Sequence, residues 1–158
     1  MPSFSDHVKQ FSQNLHFLEG INGHFPDQFD WQVTVCFYAA LHLMNAHLAK
    51  FGMQYRTHSD VTGAINPENA TSIMKVPEDP YVAYISLLNL SRRARYLINV
   101  EEGRSETARF TYDKHLSKAI KKLDVIVSWF ANQYPEVKFE KIKIKCIEIK
   151  QTDTLNYF

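Results

Sequence analysis

The chain has 158 residues, which suits one domain that buries roughly two-thirds of its unfolded surface. With 45% hydrophobic and 22% charged residues and few Gly or Pro, its composition is that of a soluble globular protein and excludes disordered, collagen-like and disulfide-framed classes. The net charge of +1 hides an asymmetry: residues 1–90 hold four Lys/Arg against eight Asp/Glu, and residues 91–158 hold fourteen against nine.

A basic half can attract the phosphates of nucleic acid or nucleotides. The competing reading is that these lysines only solvate the last helix and the tail. The stretch from Met1 to His7 has neither a basic nor an apolar region of the signal-peptide kind, so no signal peptide is expected. The longest apolar stretch, Val33 to Phe51, is interrupted by His42, Asn45, His47 and Lys50 and makes a poor membrane span. Cys36 and Cys146 are expected to be free thiols, and a cytoplasmic location follows.

The first helix is predicted to start after Ser5 as N-cap. Val8, Phe11, Leu15 and Leu18 form its stripe, and Gly20 to Pro26 end it. Asp30 is a candidate cap for the second helix, with Val33, Phe37, Ala40/Leu41, Met44 and Leu48 as its stripe and Gly52 as the residue beyond its end. Ser59 is a candidate cap for a short helix over Asp60 to Ile65, followed by a polar, mobile loop through Pro77. Asp79-Pro80 opens a third long helix, because proline's missing N–H costs nothing in the first turn. Gly103 lies beyond its end. Thr111 is the candidate cap of the last helix, lined by Tyr112, Leu116, Ala119/Ile120, Leu123, Ile126/Val127 and Phe130 and stopped by Pro135. The predicted fold is all-α: an antiparallel four-helix bundle over residues 1–136, with a short helix after the second long one.

The tail, residues 137–158, changes period. Phe139, Lys141, Lys143 and Lys145 alternate with Glu140, Ile142, Ile144 and Cys146, the two-residue repeat of a strand. A lone strand leaves its backbone groups unpaired, so the tail is expected to pair with a second copy of the chain or with Ile147 to Leu155, within the same domain or at a dimer interface.

Three groups of residues carry candidate chemistry. On the second helix Tyr38, Leu41, His42 and Asn45 share one face, as a buried hydrogen-bond network or the floor of a pocket. His58 opens the short helix, where it either bonds back to the second helix or meets a ligand. On the third long helix Arg92, Arg95 and Tyr96 fall at i, i+3 and i+4, an arrangement suited to phosphate binding with base stacking; pairing of these arginines with acidic residues is the alternative. No His-Glu-x-x-His, Cys-x-x-Cys, Walker or dinucleotide fingerprint is present, and His42 and His47 point to different sides of one helix. No metal or cofactor is therefore expected.

Phe37-Tyr38-Ala39-Ala40-Leu41-His42, then Thr57-His58-Ser59-Asp60, then Ser91-Arg92-Arg93-Ala94-Arg95-Tyr96 resemble, in that order, the motifs of the HEPN family of four-helix domains. The resemblance spans residues 5–134 and leaves out the tail. It departs from the family pattern at Ser91, which stands at an arginine position, and at Arg95, which stands at an acidic one. It implies a homodimer that binds RNA or a nucleotide, as a toxin–antitoxin or defence component, with a nucleotidyltransferase-like antitoxin as possible partner. Nuclease members resemble one another in an Arg-x4–6-His signature. Arg92 to Tyr96 lacks the histidine, and the one formal match is Arg109 to His115. Three readings stay open: an RNA- or nucleotide-binding domain lined by Tyr38, His42, His58, Arg92, Arg95 and Tyr96; a metal-independent ribonuclease using Arg109 and His115 in a dimeric site; and a non-catalytic structural or interaction module.

Overall fold

The structure, a computed structural model, describes residues 1–98 and 108–158; the predicted stop at Gly103 lies outside them. Helix α1 spans Phe4–His24, α2 Phe29–Ala49, α3 His58–Ile65, α4 Glu78–Tyr96 and α5 Asp113–Gln133. Local chemistry moves most starts by a residue or two from the predicted ones. Ser3 caps α1, not Ser5: its hydroxyl accepts the Asp6 N–H at 3.2 Å while the Asp6 carboxylate accepts the Ser3 N–H at 2.8 Å, a reciprocal box that Ser5 could not close. Thr57, not Ser59, caps α3, since its hydroxyl reaches the Asp60 N–H at 3.1 Å. Gln28 and Tyr112 stand where Asp30 and Thr111 were expected, and Asp30 serves the first turn of α2, where a carboxylate faces the positive helix end.

The helices form a bundle around α2, which packs against α1, α3, α4 and α5; α4 also packs on α5. The predicted single stripe on α2 understates its role. Val33, Cys36, Phe37, Ala39, Ala40, Leu43, Met44, Ala46 and Leu48 are fully buried, so α2 is enclosed on most of its circumference. The loop over residues 66–77 is polar yet anchored, contrary to the mobile loop expected. Met74 and Val76 are buried, the Val76 N–H donates to Ile65 O, and His47 donates from Nε2 to the Met74 carbonyl at 3.1 Å. His47 Nδ1 then accepts the Tyr134 hydroxyl at 2.7 Å, tying α2, this loop and the end of α5 together.

The tail departs from the strand prediction. Among the described residues no strand forms, although the alternation is real: Ile142, Ile144 and Cys146 turn inward and Lys141, Lys143 and Lys145 outward. Helix side chains replace a partner strand. Glu19 accepts the Lys143 N–H at 2.9 Å, and the Asn22 amide accepts the Lys145 N–H at 2.7 Å and donates to its carbonyl at 2.9 Å. Asp113 takes the N–H groups of Ile147 and Glu148, and the buried Asp124 carboxylate takes those of Asn156 and Tyr157. One backbone bond, from Ile142 N–H to Tyr157 O, joins the two arms. Phe139 packs on Phe11 of α1 and Phe130 of α5, filling the groove between those helices. With these donors satisfied inside the chain, unpaired strand edges no longer argue for a dimer. Both cysteines are free, and no helix among the described residues is long and apolar enough to cross a membrane.

Asp124→Ala strands two tail N–H groups and removes charge-assisted bonds, so it is expected to cost about 2 kcal/mol in urea unfolding. Hydrogen exchange at Asn156 and Tyr157 should accelerate in this variant, while Asp124→Asn, which keeps one acceptor oxygen, should lose less.

Candidate functional site

The end of α4 carries the arginine cluster. Arg95 is steadied by the buried Ser91, donating from Nε to its carbonyl at 3.3 Å and from Nη2 to its hydroxyl at 3.2 Å; a third bond, at 3.4 Å, runs from Nη1 to the Tyr96 hydroxyl. Its guanidinium lies 5.0 Å from the centre of the exposed Tyr96 ring and 5.9 Å from that of Phe37. The His58 ring, from the start of α3, meets Phe37 edge-on, with ring centres 5.2 Å apart. The buried Phe37 ring is therefore the piece of α2 on which α3 and α4 converge.

No carboxylate among the described residues forms an ion pair with Arg92, Arg93 or Arg95. Arg93 instead donates from Nε to the Phe110 carbonyl at 3.0 Å. The uncompensated charge shows at His58, whose pKa is lowered first by burial and then by Arg95 and Arg92. Backbone strain marks the same end: Leu97 closes α4 in the left-handed region at φ 55, where a residue with a Cβ pays about 1 kcal/mol or more.

Tyr38 and His42, expected in the same pocket, face elsewhere. They line an open cavity of about 280 Å³ between α1 and α2, with Asn14, Phe17, Trp31, Thr34 and Val35. His42 Nδ1 lies 3.1 Å from His7 Nδ1, and the ring centres are 5.4 Å apart. The two Nδ1 atoms face each other, so one ring donates and the other accepts, according to their tautomers. Burial, and then His7, hold His42 down to about 4. The Asn45 side chain joins neither group: its buried Oδ1 has no partner among the described residues.

His7 and Trp31 were not singled out from the sequence. Trp31 was legible, since it precedes Tyr38 by two turns on the same helix face. His7 was not, because its partner lies thirty-five residues away.

The Arg109/His115 pair is placed at the start of α5. Arg109 is half-buried with its backbone N–H on Leu97 O. His115 Nδ1 accepts the Tyr112 backbone N–H at 2.9 Å, which fixes the neutral proton on Nε2. The free nitrogen of His115 thus has no lone pair to accept a proton. Burial, with Arg93 and Lys114 next, lowers its pKa to about 4 and disfavours the imidazolium needed for a general acid. In this geometry His115 caps a helix.

No protein-family model, curated protein or solved structure matches the chain.

The histidine shifts set a pH dependence. His7, His42, His47, His58 and His115 are all lowered, each chiefly by burial, so the folded chain binds fewer protons than the unfolded one below about pH 6.5. Stability should be full above pH 6.5 and fall steadily towards pH 4. Urea midpoints at pH 7.5, 6 and 4.5 should decline in that order, and a His7→Leu/His42→Leu variant should decline less. A flat profile would contradict the assignment.

Proposed function

We propose that this protein is a HEPN-like antiparallel four-helix bundle that binds single-stranded RNA or a nucleotide at the end of α4. The observation that carries the reading is the arginine cluster: Arg92 and Arg95 have no carboxylate partner among the described residues, both act on His58, and Arg95 lies over the exposed Tyr96 ring. Burying or clustering guanidinium charge without a counter-charge is costly, and a phosphate is the ligand whose geometry matches the fork. Tyr96 offers its face to a base.

Contacts between helix ends support the bundle topology. Phe4, at the start of α1, stacks on Phe130 near the end of α5, and Asn22 near the end of α1 bonds Gln32 near the start of α2. The resemblance also carries a homodimer and a nucleotidyltransferase-like partner as part of the proposal. Binding without cleavage is the form proposed, because His115 is committed to its helix cap.

Single-stranded RNA should bind with an affinity that falls as salt rises, because phosphate neutralisation releases counterions. Arg92→Ala and Arg95→Ala should each weaken binding and reduce the salt slope by about 0.7. Tyr96→Ala should cost about 1–3 kcal/mol and leave the slope unchanged. Titrations by fluorescence anisotropy between 50 and 300 mM salt measure all three, and the absence of salt-dependent binding to RNA or nucleotide would overturn the proposal.

A further inference from the structure

The end of α4 and the start of α5 form one continuous surface. Residues 109 and 110 are tied to the end of α4 by two bonds: the Arg109 backbone N–H donates to the Leu97 carbonyl at 2.8 Å, and Arg93 donates from Nε to the Phe110 carbonyl at 3.0 Å. Tyr112, two residues on, leads into α5. Arg93 itself therefore joins the arginine cluster to this segment.

Three exposed rings stand on this surface: Tyr96 at 60%, Phe110 at 55% and Tyr112 at 54%. Single exposed rings are common, but each of these is set among cationic groups. The Arg95 guanidinium lies over Tyr96, Arg93 holds the backbone of Phe110, and the Tyr112 ring lies 6.0 Å from that of His115. Burial first, then Arg93 and Lys114, lower the His115 pKa, so cations of both helices act on this one ring.

Acid is scarce here. Between residues 108 and 118 Asp113 is the one carboxylate, against Arg109, Lys114 and Lys118. It is committed to the tail, accepting from the Cys146 thiol and from the N–H groups of Ile147 and Glu148. Arg93 spends Nε on the Phe110 carbonyl and has no carboxylate partner among the described residues, which leaves the terminal nitrogens of its fork for a phosphate.

A free nucleotide offers one base and one group of phosphates, and Tyr96 with Arg92 and Arg95 already matches both. A further guanidinium with two further rings matches a strand, in which phosphates and bases alternate. We infer that Arg93, Phe110 and Tyr112 form a second subsite, which holds a further phosphate and stacks further bases of the RNA bound at Arg92 and Arg95. The ligand is then a single strand of several nucleotides and not a free nucleotide. This inference rests on the proposed phosphate site at the end of α4.

Ligand length gives the test. The full chain and the variants Phe110→Ala, Tyr112→Ala, Arg93→Ala, Arg92→Ala/Arg95→Ala and Phe17→Ala are titrated with uridine monophosphate and with an eight-nucleotide uridine RNA. Phe17 is an equally exposed ring, but it lines the cavity between α1 and α2. Circular dichroism checks that each variant is folded. The RNA should bind more tightly than the mononucleotide. Phe110→Ala and Tyr112→Ala should each weaken RNA binding roughly 5- to 100-fold and leave mononucleotide binding unchanged. Arg93→Ala should reduce the salt slope for RNA by about 0.7, and Phe17→Ala should change nothing. Equal affinity for the two ligands would overturn the second subsite and leave the phosphate site standing. So would RNA binding that the Arg92/Arg95 variant loses while the Phe110 and Tyr112 variants keep it in full. A folded Phe110 or Tyr112 variant that loses mononucleotide and RNA alike would also overturn the second subsite. No salt-dependent binding of either ligand by the unaltered chain would overturn both sites.

Discussion

The enclosure of α2 is the constraint on which the rest of the structure depends. Its fully buried side chains run from Val33 to Leu48, and each large one contributes roughly 1.5–3 kcal/mol when removed from water. A helix apolar on most sides has to be covered on most sides. Helices α1, α4 and α5 supply that cover, α3 closes part of it, and the tail seals the groove between α1 and α5 with Phe139. The polar groups on α2 fall where the cover is thinnest or where a partner reaches in: His42 meets His7, and His47 meets Tyr134 and Met74. Phe37 belongs to both parts of the account, since it is core and also the ring around which His58 and Arg95 gather.

Against that core the end of α4 stands out. Arginines in a last helical turn gain from the negative end of the helix dipole, typically 0.3–1 kcal/mol each, which accounts for Arg93 and Arg95 in part. It does not account for two guanidiniums close enough to a histidine to depress its pKa, with no acid paired to them among the described residues. Among the described residues Lys121 pairs with Asp153 at 3.0 Å and Lys50 with Glu136 at 3.5 Å. At the end of α4 the guanidiniums have no carboxylate partner among the described residues and stand beside aromatic surface, a combination with a chemical use.

Much of this was legible in the sequence, and the exceptions have physical causes. Helix periodicity located the long helices of the described residues, because burial of apolar faces sets a 3.6-residue repeat that needs no tertiary knowledge, and a cap signal located the short one. Cap positions shifted because a hydroxyl must reach a particular N–H, and Ser3 and Thr57 reach what Ser5 and Ser59 do not. The tail's two-residue alternation was legible and survives as inward and outward positions, but the strand pairing expected from it does not form. Glu19, Asn22, Asp113 and Asp124 substitute for a strand from positions far along the chain, and no local pattern marks them. The arginine cluster was legible as an i, i+3, i+4 group. Its separation from Tyr38 and His42 was not, because that depends on which neighbour each face of α2 meets.

Two basic surfaces compete for the role assigned to the end of α4, and mapping RNA contacts residue by residue separates them most directly. The exposed face of α5 carries Lys114, Lys118, Lys121 and Lys122, the solvated-lysine surface of the competing reading. In two-dimensional NMR spectra of the labelled chain titrated with a short single-stranded RNA, the largest shifts should fall at His58, Arg92, Arg95 and Tyr96. Shifts confined to the lysines of α5, with the end of α4 undisturbed, would contradict it.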